Sequence, residues 1–247
     1  MPRALLLSPH LDDVALSCAA TARHLLRGGW EVRLITIFTR SVENPQGFAL
    51  ACQLDKGLSP DVDYMELRRA EDREFCRIIG IENYEHWPFA EAPHRGYDSA
   101  SELFAGVHEG DEVWRDIAEK LRAIETPDTV FAPQGLGNHA DHLQVIRAVR
   151  ERSWDAQAFW YRDTPYAIRQ PDAAPSELLP PNLSGGFVVF DEAELKVKIA
   201  GCCAYTSQIG FQFGGAEGVA RQLTEFHRAE ARVVGREPLA ERFVVGG

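Results

Sequence analysis

An open, doubly wound α/β sheet of mostly parallel strands is the fold this sequence predicts, and three observations predict it. Strand, helix and strand follow one another inside forty residues, at Ala4 to Ser8, Asp13 to Arg27 and Glu31 to Phe38. Such a unit builds a parallel sheet with right-handed crossovers. Apolar runs of strand length then keep alternating with stretches of helical period along the chain. Two polar clusters rich in ionisable groups each follow directly on a predicted strand, at the sheet edge where ligands collect in this architecture.

Taken in order, Ala4 to Ser8 is a short apolar run halted by Pro9, read as a buried strand. From Asp13 to Arg27 the residues Val14, Ala15, Cys18, Ala19, Ala22, Leu25 and Leu26 recur at helical spacing, and Gly28-Gly29 ends the helix. Glu31 to Phe38 is apolar and β-branched, hence a strand. The turn signals Asn44-Pro45, Gly47, Gly57 and Ser59-Pro60 make 39–63 a long loop. Tyr64 to Ile79 is a charged helix closed by Gly80, Tyr84 to Trp87 a short strand, and 88–110 a second loop. Asp111 to Ile124 is helical, Thr129 to Ala132 a strand, His139 to Arg152 a helix and Ala158 to Tyr161 a strand. After a Pro-rich, irregular 163–184 come a strand at Phe187 to Phe190 and helices at Glu192 to Cys203 and Gly218 to Arg228. The segments 163–184 and 232–247 are open to use as a lid or a subunit contact, which leaves a homo-oligomer open as well.

The length of 247 residues fits one large α/β domain or two small ones, and the chain is read as one domain over 1–247. A chain of this size buries roughly three quarters of its unfolded surface, so a core forms without disulfides or a structural metal, and any metal is free to be catalytic. A net charge of −11, from 37 acidic against 26 basic residues, argues against nucleic acid and anionic membranes as partners. It excludes a broad basic face, not a local pocket for a small anion. Leu5-Leu6-Leu7 is too short an apolar start for a signal peptide or a membrane span. The five scattered cysteines, without a C-x-x-C pair, fit ordinary thiols in a reducing cytoplasm.

The first cluster is Ser8-Pro9-His10-Leu11-Asp12-Asp13. His10 and Asp13 are three apart, so in a helical turn they share a face and can share one ion. Asp12 projects differently, close to that ion without being needed as a ligand, which is where a general base belongs. The plain alternative is that both aspartates only cap the helix. The second cluster is Gly135-Leu136-Gly137-Asn138-His139-Ala140-Asp141-His142, with its histidines again three apart. Here the plain alternative is a helix start capped by Asn138. His142 completes a His, Asp, His set, and two imidazoles with one carboxylate and a position open to water make up a catalytic zinc site. The same set also holds Fe(II) or other divalent ions. Two such clusters at two strand-to-helix junctions are the signal that neither is alone.

The two motifs together resemble the signatures of the PIG-L/LmbE family of zinc-dependent N-deacetylases, which act mainly on N-acetylglucosamine-type substrates. Arg68-Arg69-Ala70-Glu71 resembles that family's Arg-x-x-Glu helix opening, and Lys198 with Tyr205-Thr206-Ser207-Gln208 its C-terminal Lys and Ser-Gln region. The resemblance covers most of residues 3–210. It implies a Rossmann-like fold and one zinc per chain on His10, Asp13 and His142. It also implies Asp12 as general base, His139 facing the developing oxyanion or the leaving amine, Asp141 orienting or tuning His139, and Arg68 near the substrate. The implied substrate is a small acylated amine, an amino sugar or glycoside. Leu11 stands where Pro is frequent in the family and Val14 where Glu is frequent. The stretch Gly135 to Asn138 lacks the tyrosine that some members place there to assist the oxyanion.

On residues alone, Arg68 and Arg69 read as an exposed helix face rather than a substrate clamp, and the tryptophans as core or pocket wall. His24, His86, His94, His108 and His227 lack partners at ligand spacing and are read as structural or surface groups. Three rivals keep much of this pattern: a natural-product tailoring deacylase or esterase on the same metal site, a non-catalytic binding module, and a nucleotide-binding protein. The last lacks a G-x-G-x-x-G after its first strand.

Overall fold

β1 (Arg3–Ser8) is apolar over Ala4 to Leu7 because both of its faces are covered. Ala4 and Leu6 enter one hydrophobic layer, Leu5 and Leu7 the other. This is the pattern of a central parallel strand. The computed structural model describes residues 1–246. Its other strands are β2 (Glu31–Thr36), β3 (Asn83–His86), β4 (Thr129–Pro133), β5 (Gln157–Tyr161), β6 (Ser184–Phe190) and β7 (Leu239–Val245). They form one sheet in the order β3-β2-β1-β4-β5-β7-β6, in which the first five strands are parallel and β7 runs antiparallel to both neighbours. The predicted doubly wound, mostly parallel α/β fold is therefore the observed one. No helix among the described residues is long and apolar enough to cross a membrane.

Helices cover both faces. On one lie α1 (Asp13–Arg27), α3 (Tyr64–Ile79), α8 (Glu192–Cys203), α9 (Thr206–Phe213) and α10 (Ala216–Val233). On the other lie α5 (Val113–Arg122) and α6 (Ala140–Arg152). The spans of α1, α3 and α8 match the sequence reading residue for residue. Gly80, at φ 91°, ends α3 in the left-handed conformation that a glycine adopts without strain.

Five regions hold structure that the sequence reading did not assign. The stretch 39–63, expected as loop, folds α2 (Gly47–Leu54), and the loops 88–110 and 163–184 each hold a short helix, α4 (Ala100–Leu103) and α7 (Tyr166–Arg169). α9 lies in a region to which the sequence assigned no helix. The described part of the C-terminal segment, 232–246, finishes α10 and supplies β7, which is inserted between β5 and β6. The alternation of Leu239, Glu241 and Phe243 with their neighbours gives little warning of this, because β7 is buried on both faces and carries a buried charge.

That charge is Glu241. Its carboxylate accepts from Thr21 N at 2.7 Å, Thr21 Oγ1 at 2.6 Å and Ala20 N at 3.2 Å, and pairs with Lys198 Nζ at 2.6 Å. Lys198, matched in sequence to a family lysine, is fully buried and ties α8 to α1 and β7. Replacing one member of a buried pair strands the other, so Lys198→Met is expected to cost roughly 3–5 kcal/mol of stability. Chemical denaturation of the variant checks this; a loss below about 1 kcal/mol, the range of exposed pairs, would contradict it.

Candidate active site

The loops after β1 and β4 face each other across the point where strand order reverses, with β2 on one side and β5 on the other. In an open α/β sheet this crevice is where ligands bind. The first loop delivers His10, Asp12 and Asp13, the second His139, Asp141 and His142, and all six are buried or nearly so. The capping alternative fails for the first cluster, since Asp12 makes no side-chain cap bond to α1. Ser8 Oγ instead accepts from Val14 N at 3.1 Å. In the second cluster the cap of α6 is His139, not Asn138: its Nδ1 accepts from Asp141 N at 3.1 Å.

Asp13 Oδ2 is the focus of the site. His10 Nδ1 lies 3.2 Å from it and His142 Nε2 3.3 Å. Edges of a tetrahedron with zinc-to-ligand bonds of ~2.0–2.1 Å measure about 3.3–3.4 Å, so the three donors are spaced to share one ion. His142 Nε2 is buried without a hydrogen-bond partner. Burial opposes a charge on His142, but Asp13 and then Asp163 raise its pKa to about 9. The pocket thus prefers positive charge at that nitrogen, the preference that a divalent cation satisfies.

Each imidazole is fixed from behind. His142 Nδ1 is 2.5 Å from Asp163 Oδ1, and the other oxygen of Asp163 accepts from Leu136 N at 3.0 Å. His10 Nε2 is 2.9 Å from Asp141 Oδ2. A carboxylate behind a ligating histidine sets its tautomer and orientation. The resemblance implied that Asp141 orients or tunes His139; its carboxylate hydrogen-bonds His10 and Ala92 N at 3.0 Å and pairs with Arg95 Nη1 at 2.8 Å, while its backbone N–H donates to His139 and its charge favours the protonated ring. His10, His139 and Asp141 form a second cluster of donors. Arg95 beside Asp141 makes that set unsuited to a cation.

Asp12 stands next to these donors without joining them. Arg68 Nη2 lies 3.4 Å from its Oδ1, and Gln212 Nε2 donates to its Oδ2 at 3.0 Å. Burial raises its pKa and Arg68 opposes the rise, leaving it at about 6. Arg68 is itself buried, not on an exposed face, and is shared between Asp12, Glu91 at 2.7 Å and the Leu11 carbonyl at 3.2 Å. His139 is held well below the ordinary imidazole value, by burial and then by the charge of His10. With Nδ1 accepting, the ring proton sits on Nε2.

The sequence reading missed Asp163, Gln212 and Tyr166. Tyr166 lines the same pocket, its ring centroid 5.9 Å from that of His142 and its hydroxyl without a protein partner among the described residues. A Cβ at Gly137 would come 2.8 Å from the Tyr166 ring, so a glycine there, with φ at +80°, is what admits the tyrosine. Gln212 reaches Asp12 because α9 is anchored by α3. Thr206 Oγ1, Ser207 N and Ser207 Oγ all donate to Glu71, at 2.8, 2.8 and 2.7 Å. The two weaker motifs of the sequence, Arg68 to Glu71 and Tyr205 to Gln208, thereby find each other.

Fold and site together define a doubly wound α/β protein whose strand-order switch point carries a buried donor set fit for one divalent cation. The chain belongs to the PIG-L family, described as GlcNAc-PI de-N-acetylase, whose model matches residues 5–153. It is similar to the 2'-N-acetylparomamine deacetylase of Streptomyces fradiae, 38% identical over an alignment of 171 residues that covers 67% of this chain and 58% of that protein. The match thus spans a little over half the length of that relative. Among solved structures, it resembles a teicoplanin deacetylase in its zinc-inhibited form, with TM-score 0.81 and 24% identity over 98% of this chain and 97% of that one. It also resembles a pseudoaglycone deacetylase, with TM-score 0.78 and 26% identity over 99% and 97% of the two chains.

Proposed function

We propose that the chain is a zinc-dependent hydrolase that removes an acetyl or related acyl group from the nitrogen of an amino sugar or glycoside in the tailoring of a small natural product. One observation carries the reading: His10, Asp13 and His142 converge on a shared ion position, with Asp12 beside them and not among them. The family description and the deacetylase activities of the similar proteins support the amide bond and the amino-sugar substrate. Five free cysteines support a reducing, cytoplasmic setting.

A zinc ion on His10, Asp13 and His142 would acidify a water and polarise the acyl carbonyl. Asp12 takes the proton of the attacking water, and as its conjugate acid passes it to the departing nitrogen, so that a carboxylic acid and a free amine result. The neutral His139 donates its Nε2 proton in a hydrogen bond to the acyl oxygen as charge builds there. Tyr166 is the second donor to that oxygen, standing in for the tyrosine absent from Gly135 to Asn138. Tyr166→Phe is expected to lower kcat roughly tenfold or more with little change in KM, as loss of a transition-state donor does; a changed KM at constant kcat would make Tyr166 a wall of the pocket only.

The deciding experiment pairs metal analysis by plasma mass spectrometry with acetate release from N-acetylglucosamine derivatives and N-acetylated aminoglycosides. About one zinc per chain together with acetate release establishes the reading. Zinc without hydrolysis of any N-acyl or ester substrate sinks the activity, and a protein that takes up no metal when zinc is supplied sinks the site.

A further inference from the structure

Lys56, just after α2, lines the catalytic pocket with Tyr64 of α3 and Phe211 of α9. Its ammonium lies 5.6 Å from the centroid of the Tyr64 ring and 5.2 Å from that of Phe211, between two aromatic side chains. Its protein acceptor is the Cys52 carbonyl at 2.7 Å, and it makes no ion pair among the described residues. An ammonium has three protons to donate, so two directions of hydrogen bonding remain for a ligand.

The carboxylates around it pair with other groups, and none comes within ion-pair distance of Lys56 among the described residues. Asp12 and Glu91 share Arg68, Asp141 holds Arg95 and His10, and Asp13 faces two imidazoles. Lys56 is the cation of the pocket lining that stands outside these pairs, with Glu91 and Asp12 near enough to favour its charge. Burial, and then the neighbouring charge of Arg68, lower its pKa. Keeping it charged costs free energy that an incoming anion would offset. Beside it Phe211 is 62% exposed on the rim of the pocket, an apolar surface largely open to a ligand.

We propose that Lys56 determines specificity by binding an anionic oxygen group, a carboxylate, on the part of the substrate beyond the acylated sugar, while Phe211 supports the apolar body that carries it. The identity of that substrate as an acylated glycoside rests on the deacetylase reading; the anion subsite itself does not.

Two matched probes test this: phenyl N-acetyl-β-glucosaminide and its 4-carboxyphenyl counterpart, compared for kcat/KM in the zinc-loaded wild type, Lys56→Gln and Lys56→Arg. The wild type should favour the carboxylated probe about tenfold or more through KM, as a charge-assisted hydrogen bond would give. Lys56→Arg should keep the preference and Lys56→Gln should bring the ratio near one. A lysine that merely bonds the end of α2 through Cys52 would not move that ratio. No preference in the wild type, or the same preference in Lys56→Gln, overturns the subsite. Calorimetric binding of both probes, with and without Lys56→Gln, separates the two claims. Selective, Lys56-dependent binding without turnover keeps the subsite and refutes the deacetylase reading, and binding that does not depend on Lys56 refutes the subsite.

Discussion

Asp12→Ala should keep its zinc and lose ~10²- to 10⁴-fold or more in kcat, the range a positioned general base contributes. The expectation follows from placement. Asp12 is not one of the three donors around Asp13 Oδ2, so its removal leaves the ion position intact, while Arg68 and Gln212 hold both of its oxygens in one orientation. The base works only when ionised, so activity should fall as pH drops through its pKa of about 6. A cation bound nearby adds positive charge that favours the carboxylate, which places the acid limb at or below that value. Arg68→Gln removes the charge that opposes burial and should move the limb to higher pH. A variant lacking Asp12 that turned over at the wild-type rate with zinc bound would show that another group takes the proton.

His142→Ala should lose both metal and activity, and it should also change how the protein responds to a chelator. His142 stands between two carboxylates, Asp13 at 3.3 Å and Asp163 at 2.5 Å. Without it two buried acids face each other with neither imidazole nor ion between them, an arrangement expected to cost several kcal/mol. In the wild type a tightly bound ion stabilises the folded state by mass action, so chelation should lower Tm. His142→Ala should melt lower from the start and show no further fall on chelation. Zinc retained at one per chain in this variant would show that His142 is not one of the donors that hold the ion.

The parts of this molecule legible in the sequence are those whose cause is local. α1 and α3 carry apolar residues at helical period and end at glycines, and their bounds follow from that pattern. The two histidine motifs were legible because each follows its strand directly, and the fold brings strand ends together. Asp163 obeys the same rule, since it lies just beyond β5, yet a lone aspartate ahead of a Pro-rich stretch carries no pattern to single it out. Gln212 and Tyr166 reach the pocket from elements that only tertiary packing positions, through Glu71 in one case and the clearance at Gly137 in the other. On residues alone Arg68 reads as a surface residue because its partners, Asp12 and Glu91, lie far from it along the chain.

The place of β7 bears on how the chain is made. Every donor around the ion position lies at or before His142, yet β5 acquires its outer neighbour only when β7, some eighty residues later in sequence, docks beside it. Pairings so distant in sequence form slowly. Until then the aromatic strand Phe159-Trp160-Tyr161 is an open edge with unpaired backbone groups, a template for joining other chains. A ribosome-bound or heat-opened intermediate should therefore expose β5 first, and self-association during synthesis or heating should begin there, before the donor residues themselves are disturbed.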